Sequence, residues 1–290
     1  SLHDAFRSGR FLIIYMCTVD EALSKGREIL NKSGIESAAL DARLLLSQVT
    51  GWSKVELLIK GDELLSKTDI ASFSDLIKKR SSGYPIAYML GYKEFWGLKL
   101  KVNADVLIPR PDTEILVERA LAHEFKSVLD MGTGSGAIIL AIKSSRKDCN
   151  ACACDASEAA LTVAKENAAA LNLAVEFVKS SWFEAFGGRK FDLIVSNPPY
   201  IRADDEHLHQ TSLPFEPLCA LTSGNDGLQD LRLIIADAKS YLNDGGHILL
   251  EHGYDQGKQV RSLLAEVGFT DITTAKDLGG NERVSYGRKA

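Results

Sequence analysis

The fold is decided by one stretch, Val128-Leu129-Asp130-Met131-Gly132-Thr133-Gly134-Ser135-Gly136. An apolar run here leads directly into a glycine-rich turn, and a helical pattern follows. Glycines at alternate positions let the backbone approach a ligand closely and bring the start of the helix near it. The stretch therefore predicts a ligand-binding turn at the end of a buried strand in an α/β sheet.

An acidic residue follows the glycine turn at a spacing typical of nucleotide sites. Asp155 ends the next predicted strand, 19 residues after Gly136 (155 − 136). A carboxylate at that place can accept both hydroxyls of a ribose. A glycine turn alone is also compatible with a tight turn that binds nothing, but the acid makes that alternative weaker.

The first residue of the turn distinguishes between two kinds of nucleotide-like ligand. A dinucleotide-binding turn normally reads GxGxxG and holds a phosphate at the helix N-terminus. This turn reads DxGxGxG, and the Asp130 carboxylate is poorly placed beside a pyrophosphate but well placed near a cation. S-adenosylmethionine carries a sulfonium and an ammonium and has no phosphate. The pattern resembles the cofactor loop of the class I methyltransferases, and Asp155 resembles their ribose-binding acid.

A second motif, Asn197-Pro198-Pro199-Tyr200, follows an apolar run from Phe191 to Val195 that predicts a buried strand. Proline lacks an N–H and has φ fixed near about −65°, so the turn is stiff and presents carbonyl oxygens. Together with the Asn197 amide oxygen, the Pro198 carbonyl could accept both hydrogens of a planar NH2 group. That would fix the nitrogen in line with a methyl group and free its lone pair, while Tyr200 stacks on the planar group. The alternative is a purely structural Pro-Pro turn.

Two further side chains are candidates for the same site. Trp182 follows the third predicted strand and could lie against an adenine ring; the alternative is a core tryptophan. Arg110 lies between two prolines, which hold it extended, and could meet the cofactor carboxylate or the substrate backbone. A surface or interdomain salt bridge is the alternative for Arg110.

Cys152 and Cys154 alternate with alanines on a predicted strand, and we expect them in the core rather than on a metal.

Composition indicates a soluble globular protein of 290 residues, with 45% hydrophobic and 25% charged residues. A net charge of −5 argues against a generic nucleic-acid binder. The five cysteines are odd in number, which favours a reducing cytoplasm over a disulfide framework. No apolar run reaches the roughly 18 residues of a membrane span, so no membrane association is expected.

The hydrophobic pattern changes twice along the chain. Residues 1–15 precede Met16 and are interpreted as an extension or tag, and residues 16–83 read as a helical domain. Residues 84–106 are aromatic and glycine-rich and predict a β-hairpin linker. From 107 to 290 strands and helices alternate, which predicts a parallel sheet with helices on both faces and an antiparallel ending.

Taken together, these segments resemble one family, the glutamine methyltransferases of peptide-chain release factors, the HemK/PrmC group. The resemblance covers about residues 17 to 288, and its most specific part is the combination of IPRPDTE at 108–114 with the Asn-Pro-Pro-Tyr motif. The other matching segments, besides the helical N-terminal domain, are Pro85-Ile86, Glu94-Phe95-Trp96, DMGTGSG at 130–136, Asp155, Ser181-Trp182-Phe183, SNPPYI at 196–201, FEP at 215–217, LLEHG at 249–253 and NER at 281–283.

The resemblance implies a seven-stranded, Rossmann-like class I methyltransferase domain behind a helical domain that docks the substrate. It implies methyl transfer from S-adenosylmethionine, leaving S-adenosylhomocysteine, to the glutamine N5 of a Gly-Gly-Gln motif, which modulates translation termination. The expected cofactor residues are Asp130, Gly132, Thr133, Gly134, Ser135, Gly136, Asp155, Trp182 and Asn197.

The expected catalytic residues are Asn197, Pro198 and Tyr200, and the expected substrate-binding residues add Pro199 and Arg110. We expect release factors as the partners of a cytoplasmic monomer that uses no metal and binds no nucleic acid stably.

Three rival functions remain open at this point. A methyltransferase for exocyclic amines of DNA or RNA could use the same Asn-Pro-Pro-Tyr turn, but it would need a basic groove or a recognition domain. A nicotinamide-dependent dehydrogenase would have no use for that turn. An inactive binding module would not need the complete set of cofactor residues.

Overall fold

A computed structural model describes residues 17–210 and 212–290, which form two compact units that divide between Leu90 and Gly91. The extension or tag expected at residues 1–15 lies outside the described residues. The structural division does not test the four predicted domain boundaries, which stay predictions. None of the helices in the described ranges combines the length and the apolar character needed to cross a membrane.

The first unit consists of helices. Their bounds are α1 Val19–Lys32, α2 Ala38–Thr50, α3 Lys54–Ile59, α4 Lys67–Ser81 and α5 Ile86–Leu90. Capping boxes begin α1 and α3, because Thr18 and Ser53 each exchange hydrogen bonds with a glutamate three residues later. The apolar faces of α1, α2 and α4 meet in one buried cluster that includes Leu30, Leu45 and Phe73.

Helix α5 corrects one prediction. Residues 84–106 were expected to be a hairpin throughout, but Ile86–Leu90 is helical and the strands begin only at Tyr92. Proline at the start of a helix lacks only an N–H that would be unpaired there. A short helix after Pro85 is therefore compatible with the sequence.

The second unit starts with a hairpin of β1 Tyr92–Phe95 and β2 Leu98–Lys101. Its two turn residues, Trp96 and Gly97, have φ of 53° and 70°. Two positive φ values are what the tight turn of a two-residue hairpin requires.

A seven-stranded sheet forms the rest of this unit, in the order β5-β4-β3-β6-β7-β9-β8. Its strands are β3 Ser127–Met131, β4 Asn150–Asp155, β5 Glu176–Lys179, β6 Phe191–Ser196, β7 Leu242–Glu251, β8 Thr270–Lys276 and β9 Glu282–Arg288. The helices are α6 Glu114–Leu121, α7 Ala137–Ser145, α8 Glu158–Ala170, α9 Gln229–Ala238 and α10 Gly257–Glu266.

Strands β3 to β7 run parallel, and β9 runs antiparallel to its neighbours β7 and β8. The predicted fold class, a seven-stranded class I methyltransferase sheet preceded by a helical region, is confirmed. Because the chain goes from β3 outward to β5 and then returns to β6, the strand order reverses between β3 and β6. Ligands bind at such a switch point, outside the carboxyl ends of the strands.

Both faces of the sheet are buried. On β3, Val128 belongs to the cluster on one face, whereas Leu129 and Met131 belong to the cluster on the other. Cys152 and Cys154 are buried in the second cluster, which confirms their interpretation as core residues. The strands that meet at the switch point are thus packed on both faces of the sheet, which fixes their position.

Candidate active site

The glycine turn joins β3 to α7 at the switch point. Gly132, Gly134 and Gly136 have φ of 70°, 54° and 84°, conformations that other residues rarely adopt. A Cβ on Gly136 would lie 3.1 Å from Leu140 Cδ1 and 3.3 Å from Ala164 Cβ. The third glycine is therefore needed for close packing of α7 and α8, and the first two shape the turn itself.

Asp155 supports the turn from the end of β4. Its Oδ2 accepts a hydrogen bond of 2.9 Å from the Gly134 N–H, and its Oδ1 accepts one of 2.9 Å from the Ser157 N–H. Each carboxylate oxygen has a second lone pair, so two further donors can be accepted. The carboxylate is thus held in place and still able to bind a diol.

Asp130, at the foot of the turn, is fully buried. Its Oδ2 accepts a 2.6 Å hydrogen bond from the Thr133 hydroxyl, whereas Oδ1 has no hydrogen-bond partner. Burial above all, with a smaller contribution from the Asp155 charge, raises the pKa of Asp130 to about 7, against the opposing effects of the Thr133 hydroxyl and the Ile139 backbone N–H. A buried carboxylate oxygen without a partner leaves room for favourable interaction with a cation.

A cavity of about 290 Å³ opens beside the turn. Five of the residues predicted to bind a cofactor line it, namely Gly132, Gly134, Asp155, Trp182 and Asn197. The other four, Asp130, Thr133, Ser135 and Gly136, are not part of its wall, and the structure gives Asp130, Thr133 and Gly136 the supporting contacts described above.

Trp182 forms one side of this first cavity. Its backbone has a φ of 46°, which is unusual for a tryptophan, and Cζ3 of its ring would lie 3.5 Å from a Cβ placed on Gly132. The indole is partly buried against the core and also faces the cavity. Trp182 is therefore available to contact a planar ligand, although the structure does not test that role.

A second cavity of about 190 Å³ lies on the other side of the Asn-Pro-Pro-Tyr turn. Leu107, Asn197 and Ala220 line both cavities. Arg110, Pro198 and Tyr200 line only the second, while Pro199 lines only the first. Asn197 therefore stands at the junction of two adjoining cavities.

The turn is anchored at its start by strand β6. The Ser196 hydroxyl donates a 2.7 Å hydrogen bond to the carbonyl of Met131 on β3. The Asn197 Nδ2 donates a hydrogen bond of 3.4 Å to Thr113 Oγ1. Because the NH2 end of this amide is directed to Thr113, the Oδ1 end is the one left for other partners.

The turn is anchored at its end by two residues distant in sequence. The Tyr200 hydroxyl donates a 3.3 Å hydrogen bond to Oε1 of Glu251, and the Tyr200 carbonyl accepts one of 3.0 Å from Gln256 Nε2. Burial, and then the Glu251 charge, raise the pKa of the Tyr200 phenol, which therefore stays neutral.

Arg110 is paired within the protein. Its guanidinium forms an ion pair with Glu216, whose other oxygen accepts a 3.0 Å hydrogen bond from the Ile108 N–H. The Glu216 side chain is completely buried and the Arg110 side chain is 34% exposed. Arg110 thus forms a salt bridge, but with a buried partner in its own unit rather than the surface or interdomain bridge that was the alternative, and a role of Arg110 in substrate binding stays a prediction.

Four residues at the site had no predicted part in its chemistry: Thr113, Glu216, Glu251 and Arg283. The segments that contain them belong to those that resemble the family. Arg283 donates a 2.8 Å hydrogen bond to Asp277, and its guanidinium lies 3.6 Å from the Asp112 carboxylate. Asp277 is only six residues from Arg283, whereas Asp112 is distant in the chain, so no local spacing pattern could have paired Arg283 with Asp112.

Comparison with known domain families gives two matches. The family described as the PrmC N-terminal domain matches residues 21–91, and the one described as the methyltransferase small domain matches residues 111–213. Among solved structures, a methyltransferase from Pyrococcus furiosus has 18% identity and a TM-score of 0.52, covering 75% of this chain and 99% of that one. At this identity the likeness shows the fold alone.

Curated relatives are much more similar. A release factor glutamine methyltransferase of Salmonella typhimurium is 44% identical over 257 residues, 87% of this chain and 93% of its own length. One of Burkholderia pseudomallei is 43% identical over 284 residues, 94% of this chain and 99% of its own length. The family expected from the sequence, and with it a methyltransferase activity, is confirmed: the chain belongs to the release factor glutamine methyltransferase family.

Proposed function

We propose that this protein transfers a methyl group from S-adenosylmethionine to the side-chain amide nitrogen, N5, of the glutamine in the Gly-Gly-Gln motif of peptide-chain release factors, and so modulates translation termination. The observation that carries the proposal is the position of Asn197 at the junction of two cavities. One cavity is suited to a methyl donor and the other to a side-chain amide.

The first cavity fits the cofactor on the chemistry of its residues. Asp155 would accept the ribose hydroxyls, the glycine turn would let the ligand approach the backbone, and Trp182 would lie against the adenine. The buried carboxylate of Asp130 at the foot of the glycine turn supports a ligand that carries positive charge rather than phosphate. S-adenosylmethionine supplies, when bound, an activated methyl group on a sulfonium.

The second cavity fits the acceptor. Asn197 Oδ1 and the Pro198 carbonyl would accept the two hydrogens of the glutamine NH2, and the Tyr200 ring would stack on the amide plane. These contacts align the nitrogen and favour the geometry in which its lone pair is free. Together they can lower the activation free energy by several kcal/mol. Among the described residues that line this cavity, none is a carboxylate or an imidazole. The acceptor nitrogen would therefore give up its proton to solvent after the transfer, when it has become cationic and acidic.

The proposal includes the setting in which the enzyme works. All five cysteines are free, which supports a reducing compartment such as the cytoplasm. The net charge of −5 supports a protein substrate rather than stable binding of nucleic acid. A monomer that needs no metal is also part of the proposal.

The test is methyl transfer to a release factor. The full chain is incubated with labelled S-adenosylmethionine and a release factor, and the Gly-Gly-Gln peptide is examined by mass spectrometry. We expect the mass gain of one methyl group on the glutamine, and no gain when that glutamine is replaced by alanine in the release factor. Transfer to DNA or RNA without a gain on the glutamine would refute the proposal.

Two variants test the assigned role of Asn197. Asn197→Ala should abolish the transfer while leaving the thermal unfolding of the protein unchanged. Asn225→Ala, at an exposed asparagine outside both cavities, is the matched control and should keep full activity. Full activity of Asn197→Ala would contradict the assigned role.

A further inference from the structure

The carboxylate of Glu251 is bound by the last residue of the Asn-Pro-Pro-Tyr turn, Tyr200. Glu251 is the last residue of β7, and only 1% of its surface is exposed. Its Oε1 accepts the hydrogen bond from the Tyr200 hydroxyl. Its Oε2 is buried without a hydrogen-bond partner, and the nearby Thr113 hydroxyl acts to lower the pKa of this carboxyl. One buried acid thus acts on a neighbour of Asn197 and on Tyr200 at the same time.

The chemistry of these groups fixes the direction of the hydrogen bonds. An ionised carboxylate can only accept, and a threonine hydroxyl has a single proton. When the Thr113 proton is directed at Glu251, the Thr113 oxygen is left to accept. The donor it faces is Asn197 Nδ2, at 3.4 Å.

The direction matters because a carboxamide has two different ends. With its NH2 end directed to Thr113, Asn197 can offer Oδ1 to the hydrogens of an acceptor NH2. If the amide were turned round, Oδ1 would meet the lone pairs of Thr113, and an NH2 would face another NH2. Each of these arrangements opposes two like partial charges.

We propose that Glu251 and Thr113 are positioning residues, which fix the Asn197 amide with its oxygen toward the acceptor while Glu251 also anchors Tyr200. This inference rests on the proposed function only in assigning an NH2 group to the second cavity. It assigns a reason for the buried acid of β7 and the threonine before α6, neither of which lines either cavity.

The charges around Glu251 make the arrangement sensitive to pH. Burial above all, with a smaller contribution from the Asp112 charge, raises the pKa of Glu251 to about 7, against the opposing effects of Thr113, Arg283 and Tyr200. As the pH falls through about 7, Glu251 gains a proton and no longer directs the Thr113 hydroxyl. With saturating cofactor, kcat of the parent enzyme should therefore fall on the acidic side of about pH 7.

The kinetic test compares three variants with the parent. Thr113→Val keeps the shape of the side chain but removes the hydroxyl, while Thr113→Ser keeps the hydroxyl and is the matched control. We expect Thr113→Val to lower kcat roughly ten- to a hundredfold with little change in KM, as expected for a misplaced reacting group. Thr113→Ser should stay within about threefold of the parent, a margin well under the tenfold that 1.4 kcal/mol would produce. Glu251→Gln should lower kcat and remove its acidic decline.

A spectroscopic test does not depend on turnover. In protein labelled with ¹⁵N-asparagine, the two side-chain N–H signals of Asn197 are assigned by their loss in Asn197→Ala. In the parent and in Thr113→Ser, the hydrogen bond to Thr113 should displace the chemical shift of one of the two Asn197 side-chain protons and slow its exchange with water. In Thr113→Val both effects should be lost.

The outcomes separate this inference from the proposed function. If the parent does not methylate a release factor, the proposed function fails, and the spectroscopic comparison still tests the Asn197 orientation. If the parent is active but Thr113→Val matches Thr113→Ser in kcat and in the Asn197 signals, the positioning role is refuted. An acidic decline of kcat that persists in Glu251→Gln would refute the part assigned to Glu251.

Discussion

Binding of a cationic cofactor is expected to release a proton from Asp130 near neutral pH. In the free protein, burial raises the pKa of Asp130 to about 7, and its Oδ1 has no partner. A positively charged ligand at the glycine turn favours the ionised carboxylate and lowers this pKa. Linkage then requires that the ligand bind more tightly as the pH rises through the pKa of the free protein.

The size of the effect follows from that pKa. If Asp130 is ionised throughout in the complex, binding releases about 0.9 proton at pH 6, about 0.5 at pH 7 and about 0.1 at pH 8. The affinity rises by about tenfold from pH 6 to pH 8, which corresponds to about 1.4 kcal/mol. Above about pH 8 no further gain is expected, because the free carboxylate is already ionised.

Titration calorimetry with S-adenosylmethionine measures both quantities. At pH 7 the observed enthalpy is plotted against the ionisation enthalpy of several buffers, and the slope gives the number of protons released. Asp130→Asn keeps an oxygen that can accept the Thr133 hydrogen bond but cannot ionise. It should bind more weakly at pH 8 and show a slope close to zero.

Two results would refute this reasoning. A slope of zero for the parent at pH 7 would show that Asp130 keeps its protonation state on binding. An equal slope in the parent and in Asp130→Asn would assign the proton to another group, for example Glu251, whose pKa is also about 7.

Three other predictions concern stability and access. Gly227→Ala should destabilise the fold by about 2–4 kcal/mol and lower activity, because Gly227 has a φ of 74° and a Cβ there would collide with the Tyr200 carbonyl. Cys219 lines the first cavity and is exposed, whereas the other four cysteines are buried; S-adenosylmethionine should therefore slow its alkylation by a thiol reagent. Burial alone would raise the pKa of Asp192, but hydrogen bonds from Asn243, Lys126 and Ser127 lower it overall. Asp192→Asn should cost about 1–2 kcal/mol at neutral pH, and the difference should shrink as acid protonates the parent carboxylate.

Each of these three has a control. Gly188 has a similar φ of 78°, but a Cβ there would meet no atom within 4 Å, so Gly188→Ala is the control for Gly227→Ala. An equal loss of folding stability in the two variants would contradict the collision. Alkylation of Cys219 at the same rate with and without the cofactor would place the ligand elsewhere. For Asp192→Asn, chemical denaturation at neutral pH and near pH 3 measures the difference in free energy of unfolding from the parent. An equal difference at both pH values would show that the charge of the carboxylate is not the cause.

Hydrophobic pattern and glycine chemistry allowed most of the second unit to be predicted from the sequence. The strands at Ser127–Met131 and Phe191–Ser196 are mostly apolar because both faces of the sheet are covered. The glycine turn could also be predicted from the sequence, since positive φ is nearly restricted to glycine. These patterns lie within short stretches of sequence, so they can be recognised without knowledge of the tertiary structure.

The supporting side chains could not be predicted in this way. Glu216 meets Arg110 across 106 residues, and Glu251 meets Tyr200 across 51. Which acid reaches which donor depends on how loops fold over the end of the sheet, and no periodicity encodes it. The helix Ile86–Leu90 was missed for a different reason, because five residues are too few to show a helical repeat.

The position of β9 in the sheet has a consequence for synthesis of the protein. This strand follows all the others in the chain, yet it lies between β7 and β8. A nascent chain that has emerged only as far as β7 can already form the glycine turn and Asp155, while one edge of β7 is still unpaired and open to wrong partners. Arg283, beside the buried acid of β7, arrives only with β9. During translation the residues that line both cavities thus emerge before the strand that completes the sheet around Glu251.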